Sequence, residues 1–299
     1  MKVVAIINHK GGVGKTTLTA NLGAGLAARG SRVLLIDLDS QASLTVSFFT
    51  QNEWTDELLP TKTIKHWYDG LSTGDAMEDP TELLSSPPRV LGKLRRGSGH
   101  LDLIAAHRDL ADVETALAAR LLSEPEHFAP LHSRLRSALT HKSLAEYDVV
   151  LIDCAPNFGL IAKNAVAAAD MLLIPTKPDY LSTNGIDSLG LKIRDFTDEF
   201  NDHGQGQIAR PPAAVVFTMV QSHDGEPIEA QRSVISRIEA RQVPTFETTM
   251  RDSKAVYGPA PEHGVPVILA GTGRAATREL REMVSELSGR LDGLHGMAA

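Results

Sequence analysis

The chain has 299 residues, of which 42% are hydrophobic and 22% charged, with 24 glycines and 16 prolines. That is the profile of a soluble globular protein with room for one large α/β domain or two small ones. No apolar run approaches the ~20 residues that span a bilayer. The single cysteine, Cys154, excludes an internal disulfide, and the net charge of −7 excludes a chain that is basic throughout.

The N-terminal "MKVVAIINHK" has no small-residue cleavage site and is not expected to be a signal peptide. Its apolar run "VVAIIN" (3–8) predicts a strand buried on both faces. A glycine loop follows, then "KTTLTANLGAGLAARG", where Leu18, Leu22 and Leu26 recur at helical spacing and Gly30 is placed to cap the C-terminus. "RVLLIDLD" (32–39) predicts a second buried strand ending in acid, which completes a βαβ unit. Residues 50–100 are rich in proline, glycine and charge, and predict loops with short helices inserted after the second strand. Further strands are expected at 147–156, 170–176, 212–220 and 265–270. Between and after them, Val234, Ile235 and Ile238 form one helical stripe and Leu280, Met283, Val284 and Leu287 another. The alternation predicts an α/β fold: a mainly parallel twisted sheet with helices on both faces, in a single domain over 1–299.

The stretch "KGGVGKTT" (10–17) admits two readings. In a phosphate-binding loop, the glycines let backbone N–H groups converge on phosphate oxygens, Lys15 reaches the β- and γ-phosphates, and the Thr16 hydroxyl ligates Mg²⁺. In a dinucleotide fold, Gly12 and Gly14 would begin a G-x-G-x-x-G pattern, but Thr17 stands where the last glycine belongs and Lys15 and Thr16 have no task. The phosphate reading is therefore the stronger. It has one departure: His9 occupies the first glycine position of the general G-x-x-x-x-G-K-[ST] motif, and a second lysine, Lys10, precedes the glycine pair.

From Lys10 to Thr16 the chain resembles the K-G-G-x-G-K-[ST] deviant Walker A motif of the ParA/MinD family of P-loop ATPases. The resemblance extends to "VLLIDLDSQAS", where Ser40 replaces a usual proline, to the Walker B-like "YDVVLIDCAPNFGLIAKNAV", and to "LDLIAAHRDLADVETAL", "VVFTMV" and "FETTMRDSKAVYGPAPEHGVPV". It is nearest to the partitioning (ParA/Soj-like) branch. The tail "SGRLDGLHGMAA" does not resemble the basic amphipathic membrane helix of the MinD type.

The resemblance implies an ATPase that binds ATP and Mg²⁺. Lys10, Gly11, Gly12, Val13, Gly14, Lys15, Thr16 and Thr17 would form the ATP site. Thr16, Asp37 and Asp153 would hold the metal, the acids through water. Lys10, Lys15 and Asp39 would be catalytic, with Asp39 orienting the attacking water. Lys10, at the outer lip of the loop, is expected to project away from its own site and reach the phosphates of a second subunit in an ATP-dependent homodimer. The resemblance also implies non-specific DNA binding in the ATP state, through Arg251 with Lys254, Arg237 and Arg241, and release by a ParB-like or cargo adaptor that stimulates hydrolysis. A cytoplasmic, nucleoid-associated protein with no membrane partner is expected. "GKLRRG" (92–97) is a further basic run, read as a loop. The alternative is a regulatory or assembly ATPase of the same family without DNA binding, serving a polysaccharide synthase, a flagellum or metabolism. A single cysteine argues against its cluster-carrier and reductase versions, which need paired cysteines. The eleven histidines show no metal-ligand spacing, so no structural zinc is expected.

Overall fold

The computed structural model describes residues 1–73, 79–95, 99–203, 206–223 and 226–296. Six strands, β1 (Lys2–Ile6), β2 (Arg32–Leu38), β3 (His100–Ile104), β4 (Val149–Cys154), β5 (Met171–Thr176) and β6 (Ala213–Phe217), form one parallel sheet in the order β3-β2-β4-β1-β5-β6. Every residue of β4 and β5 is buried, as continuous apolar runs require when both faces are covered. One group of helices packs Lys15–Ala28 against Val267–Ala270 and Arg274–Gly296. The other gathers Leu110–Ser123, Phe128–His132, Arg134–Leu139 and Tyr180–Asp202 around Leu160–Ala168.

Helix Lys15–Ala28 is buried on nearly all sides, so the leucine stripe understates its burial. Its glycines make the close packing possible. A Cβ on Gly23 would lie 2.6 Å from Leu35, and one on Gly25 would lie 2.6 Å from both Ile268 and Val284. Gly30 ends the helix with φ 111°, the cap expected of it. The stripe at Leu280, Met283, Val284 and Leu287 is buried as predicted, and in the other stripe Ile238 is buried while Val234 and Ile235 are half-buried against the core.

Two features depart from expectation. Residues 265–270 are not a strand, because Pro266 precedes a short helix, Val267–Ala270, and Ile268 N donates to Asn21 Oδ1 at 3.0 Å. The edge strand β3 was not anticipated. Asp102 interrupts its apolar pattern, and that acid is buried because it accepts hydrogen bonds from Tyr147 (2.5 Å) and Ser86 and contacts His100 (3.0 Å). Residues 50–100 carry the short helices expected after the second strand. Short helices at Glu53–Leu58, Ile64–Thr73, Pro80–Leu83 and Pro88–Leu91 send Trp54, Trp67, Tyr68, Leu83 and Val90 into the main core. Ser85 exchanges backbone hydrogen bonds with Leu103, so this segment covers the open edge of β3. Residues 74–78 and 96–98 of it, including part of the basic run, lie outside the described residues. At the opposite edge, residues 244–252 run beside β6 through Phe246 N to Val215 O (2.8 Å) and Val220 N to Met250 O (3.0 Å).

Candidate functional site

The glycine loop leaves the carboxyl end of β1, between β4 and β5, the position at which parallel sheets bind ligands. Gly12 (φ 69°) and Gly14 (φ 81°) adopt left-handed conformations that a side chain would strain. Gly14 caps helix Lys15–Ala28 with no side-chain hydrogen bond, so the first-turn N–H groups stay open to an anion. Two residues not anticipated from the sequence brace the loop. The Thr218 hydroxyl, just past β6, donates to Val13 O at 2.7 Å. The buried Asn8 side chain donates to Pro175 O (2.8 Å) and accepts from Lys10 N (2.9 Å). A polar residue at the end of an apolar strand was the available signal for each.

Lys15 is 7% exposed, and its Nζ donates to Asn8 O and Lys10 O, each at 3.3 Å. Burial lowers its pKa, while the nearby Asp153 and Asp39 carboxylates oppose that shift. The Thr16 hydroxyl donates to Asp153 Oδ2 at 2.7 Å, and Thr19 contacts Oδ1 at 3.3 Å. Asp37, the register neighbour of Asp153, accepts from Thr45 N (2.8 Å), Thr45 Oγ1 (2.7 Å) and Asp39 N (3.1 Å). Both acids are fully buried, and burial raises both pKa values. Asp39 lies one step farther out and accepts from Gln41 N at 3.0 Å. With Gly11, Gly12, Gly14, Lys15, Thr16 and Thr17 it lines a cleft of about 540 Å³, whose other walls include Met219 and Pro261. The structure therefore brings the loop, Thr16, Asp37, Asp39 and Asp153 together. Cys154 is buried and its thiol is pushed up by that burial, so it is no thiolate.

Lys10 is not among the residues lining the cleft, and its ammonium is held within its own chain. Nζ lies 3.2 and 3.1 Å from the two carboxylate oxygens of Asp179 and 2.9 Å from Ser182 Oγ. Opposite charges 169 residues apart in sequence meet because β1 and β5 are neighbours.

The four residues nominated for DNA contact divide into two kinds. Arg251 is engaged by Glu279, with Nε 3.0 Å from both carboxylate oxygens and Nη2 also paired. Arg241 pairs with Asp187 at 2.9 Å. Arg237 and Lys254 are exposed and carry no ion pair among the described residues.

An AAA domain family model matches residues 1–205. The chain is 29% identical over 269 residues to the sporulation initiation inhibitor protein Soj of Bacillus subtilis, spanning 90% of each. It is 30% identical over 297 residues to a probable plasmid-partitioning protein ParA of Thermus thermophilus, spanning 97% of this chain and 79% of that one. The fold matches that of cobyrinic acid a,c-diamide synthase from Mycobacterium smegmatis, solved with an ATP analogue and magnesium, at TM-score 0.68 and 26% identity over 95% of this chain and 93% of that one. The motif, the sheet order and these similarities over most of the chain converge: the chain belongs to the ParA/MinD family of P-loop ATPases.

Proposed function

We propose that the protein is an ATP-dependent, dimerising ATPase that positions or segregates DNA or another cargo. The observation that carries this reading is the meeting of Lys15, Thr16 and Asp39 in one cleft beside an open helix N-terminus, with the buried Asp153 bonded to Thr16 behind it. The loop N–H groups receive the phosphates, and Lys15 neutralises them. Magnesium suits the donor set, because Thr16 and Asp153 present hard oxygens 2.7 Å apart and two buried acids adjoin each other. Thr16, with Asp37 and Asp153 through water, would hold the ion, which would supply positive charge against the phosphates. Asp39, free of the metal-side contacts, orients the attacking water. Lys10 of one subunit completes the site of the other, which makes dimerisation depend on ATP and supplies charge to the transition state, as an arginine finger does.

The relatives' roles support the cargo: one is named a sporulation initiation inhibitor and another a probable plasmid-partitioning protein. In this reading the ATP dimer binds DNA without sequence preference in the cytoplasm, on the nucleoid, and a cargo adaptor triggers hydrolysis and release. No helix among the described residues is long and apolar enough to cross a membrane.

A second reading, an assembly or regulatory ATPase without DNA binding, draws on the ion-pairing of Arg251 and Arg241 and on the net charge of −7. A DNA-binding titration with and without ATP and magnesium, over a salt series, separates the two. Binding that requires ATP and weakens steeply with salt is expected. Its absence at low salt would favour the second reading.

A further inference from the structure

We infer that Asp179 is a positioning residue for Lys10, holding it in its own subunit and so setting how readily the ATP dimer forms. This rests on the reading that Lys10 serves the partner's phosphates. Lys10 Nζ makes three contacts within its own chain: both carboxylate oxygens of Asp179 and the Ser182 hydroxyl. Asp179 is itself fixed, because it caps helix Tyr180–Asp202 by accepting from Ser182 N at 2.7 Å. The carboxylate is therefore presented to Lys10 by the start of a 23-residue helix and not by a mobile side chain. The next two side chains, Tyr180 and Leu181, are 65% and 72% exposed, so the pair lies on a surface that a second copy can approach.

The Lys10 ammonium carries one charge, for which Asp179 competes with a phosphate in the other subunit. Each dimer that forms weakens two Lys10–Asp179 pairs, one per subunit. The pair is half-exposed, with side chains 40% and 34% accessible, and such a pair shifts an equilibrium by up to about fivefold. Two pairs shift the dimerisation constant by up to about 25-fold. The carboxylate thus acts as a competitor of the triphosphate. It favours the monomer and keeps a cationic group from idling beside the loop.

The test uses the full chain with AMPPNP and magnesium, and dimerisation is followed by analytical ultracentrifugation. Asp179→Asn keeps an oxygen to cap the helix and removes the charge. Ser182→Ala removes one Lys10 contact and leaves the carboxylate. Asp179→Asn should tighten the dimer by about 3- to 25-fold. Ser182→Ala should tighten it less, in the same direction. Without nucleotide, Lys10 in Asp179→Asn should be reductively methylated faster than in the wild type, a readout that a role in capping alone would not move. In a Lys10→Ala background, Asp179→Asn should have no effect on dimerisation. If Asp179→Asn dimerises no better than the wild type while Lys10→Ala remains defective, the inference falls and the cross-subunit role of Lys10 stands. If Lys10→Ala itself dimerises and hydrolyses ATP normally, that role falls and the inference falls with it.

Discussion

Asp37 and Asp153 stand side by side in register on β2 and β4, both completely buried, yet they are anchored to different parts of the molecule. Asp37 accepts from two backbone N–H groups and the Thr45 hydroxyl, and thereby shapes the turn after β2. Asp153 accepts from hydroxyls of the nucleotide-facing helix, Thr16 and Thr19. Burial raises both pKa values, and the charge of Asp37 raises that of Asp153 further. Asp37→Ala should therefore destabilise the fold by roughly 2 kcal/mol or more, because it strands the two buried donors of Thr45 and the half-buried Asp39 N–H. Asp153→Asn should remain within about 1 kcal/mol of the wild type and weaken magnesium-dependent nucleotide binding at least roughly tenfold. Urea denaturation and magnesium titrations check the two outcomes.

Lys15→Ala should abolish ATP binding, since the buried ammonium is the charge that the loop places toward the phosphates. Isothermal calorimetry measures this. An unchanged affinity would count against the P-loop assignment.

Asp39→Ala should still bind ATP and magnesium, because its carboxylate accepts from Gln41 N in the outer part of the cleft. Turnover should fall roughly 100-fold or more, with the ATP-bound dimer persisting. A phosphate-release assay that returns the wild-type rate would remove Asp39 from the mechanism.

Lys254→Glu and Arg237→Glu are the clean probes of DNA binding, since both parent residues are exposed and free of ion pairs among the described residues. Each should weaken binding in the ATP state, lower the salt slope by about 0.9 per lost phosphate contact, and leave stability within about 0.5 kcal/mol. Arg251→Glu is ambiguous alone, because it sets a like charge against Glu279. Arg251→Gln, measured beside Glu279→Gln, separates DNA contact from the loss of the ion pair.

His132 makes stability sensitive to acid. The ring is 2% exposed, lies against Phe128 and Phe196, and contacts Phe128 O through Nδ1 at 2.8 Å. Burial lowers its pKa from 6.5 to about 4. The folded state thus refuses a proton that the unfolded chain accepts. The stability is fully present above pH 6.5 and declines as the pH falls toward 4, by up to about 3 kcal/mol. His132→Phe should flatten this part of the stability–pH curve, as measured by denaturant titrations between pH 7 and pH 4.5.

The phosphate loop, its three following acids and five of the six strands were legible in the sequence. The φ demands of Gly12 and Gly14, the apolar runs of β1, β2, β4, β5 and β6, and the acids at strand ends are written in neighbouring residues. The edge strand β3 escaped because Asp102 breaks its pattern, and that acid is tolerated only through Tyr147, brought beside it by the fold. Residues 265–270 have strand composition, yet Pro266 and the Asn21 side chain make a helical turn of them. The pairing of Lys10 with Asp179, of Thr218 with Val13 and of Arg251 with Glu279 was decided by tertiary structure alone. Local sequence sets backbone angles and which faces are apolar. It does not set which strand becomes the neighbour of which, and in this sheet that order brings β1 beside β5 and so gives Lys10 its counter-charge.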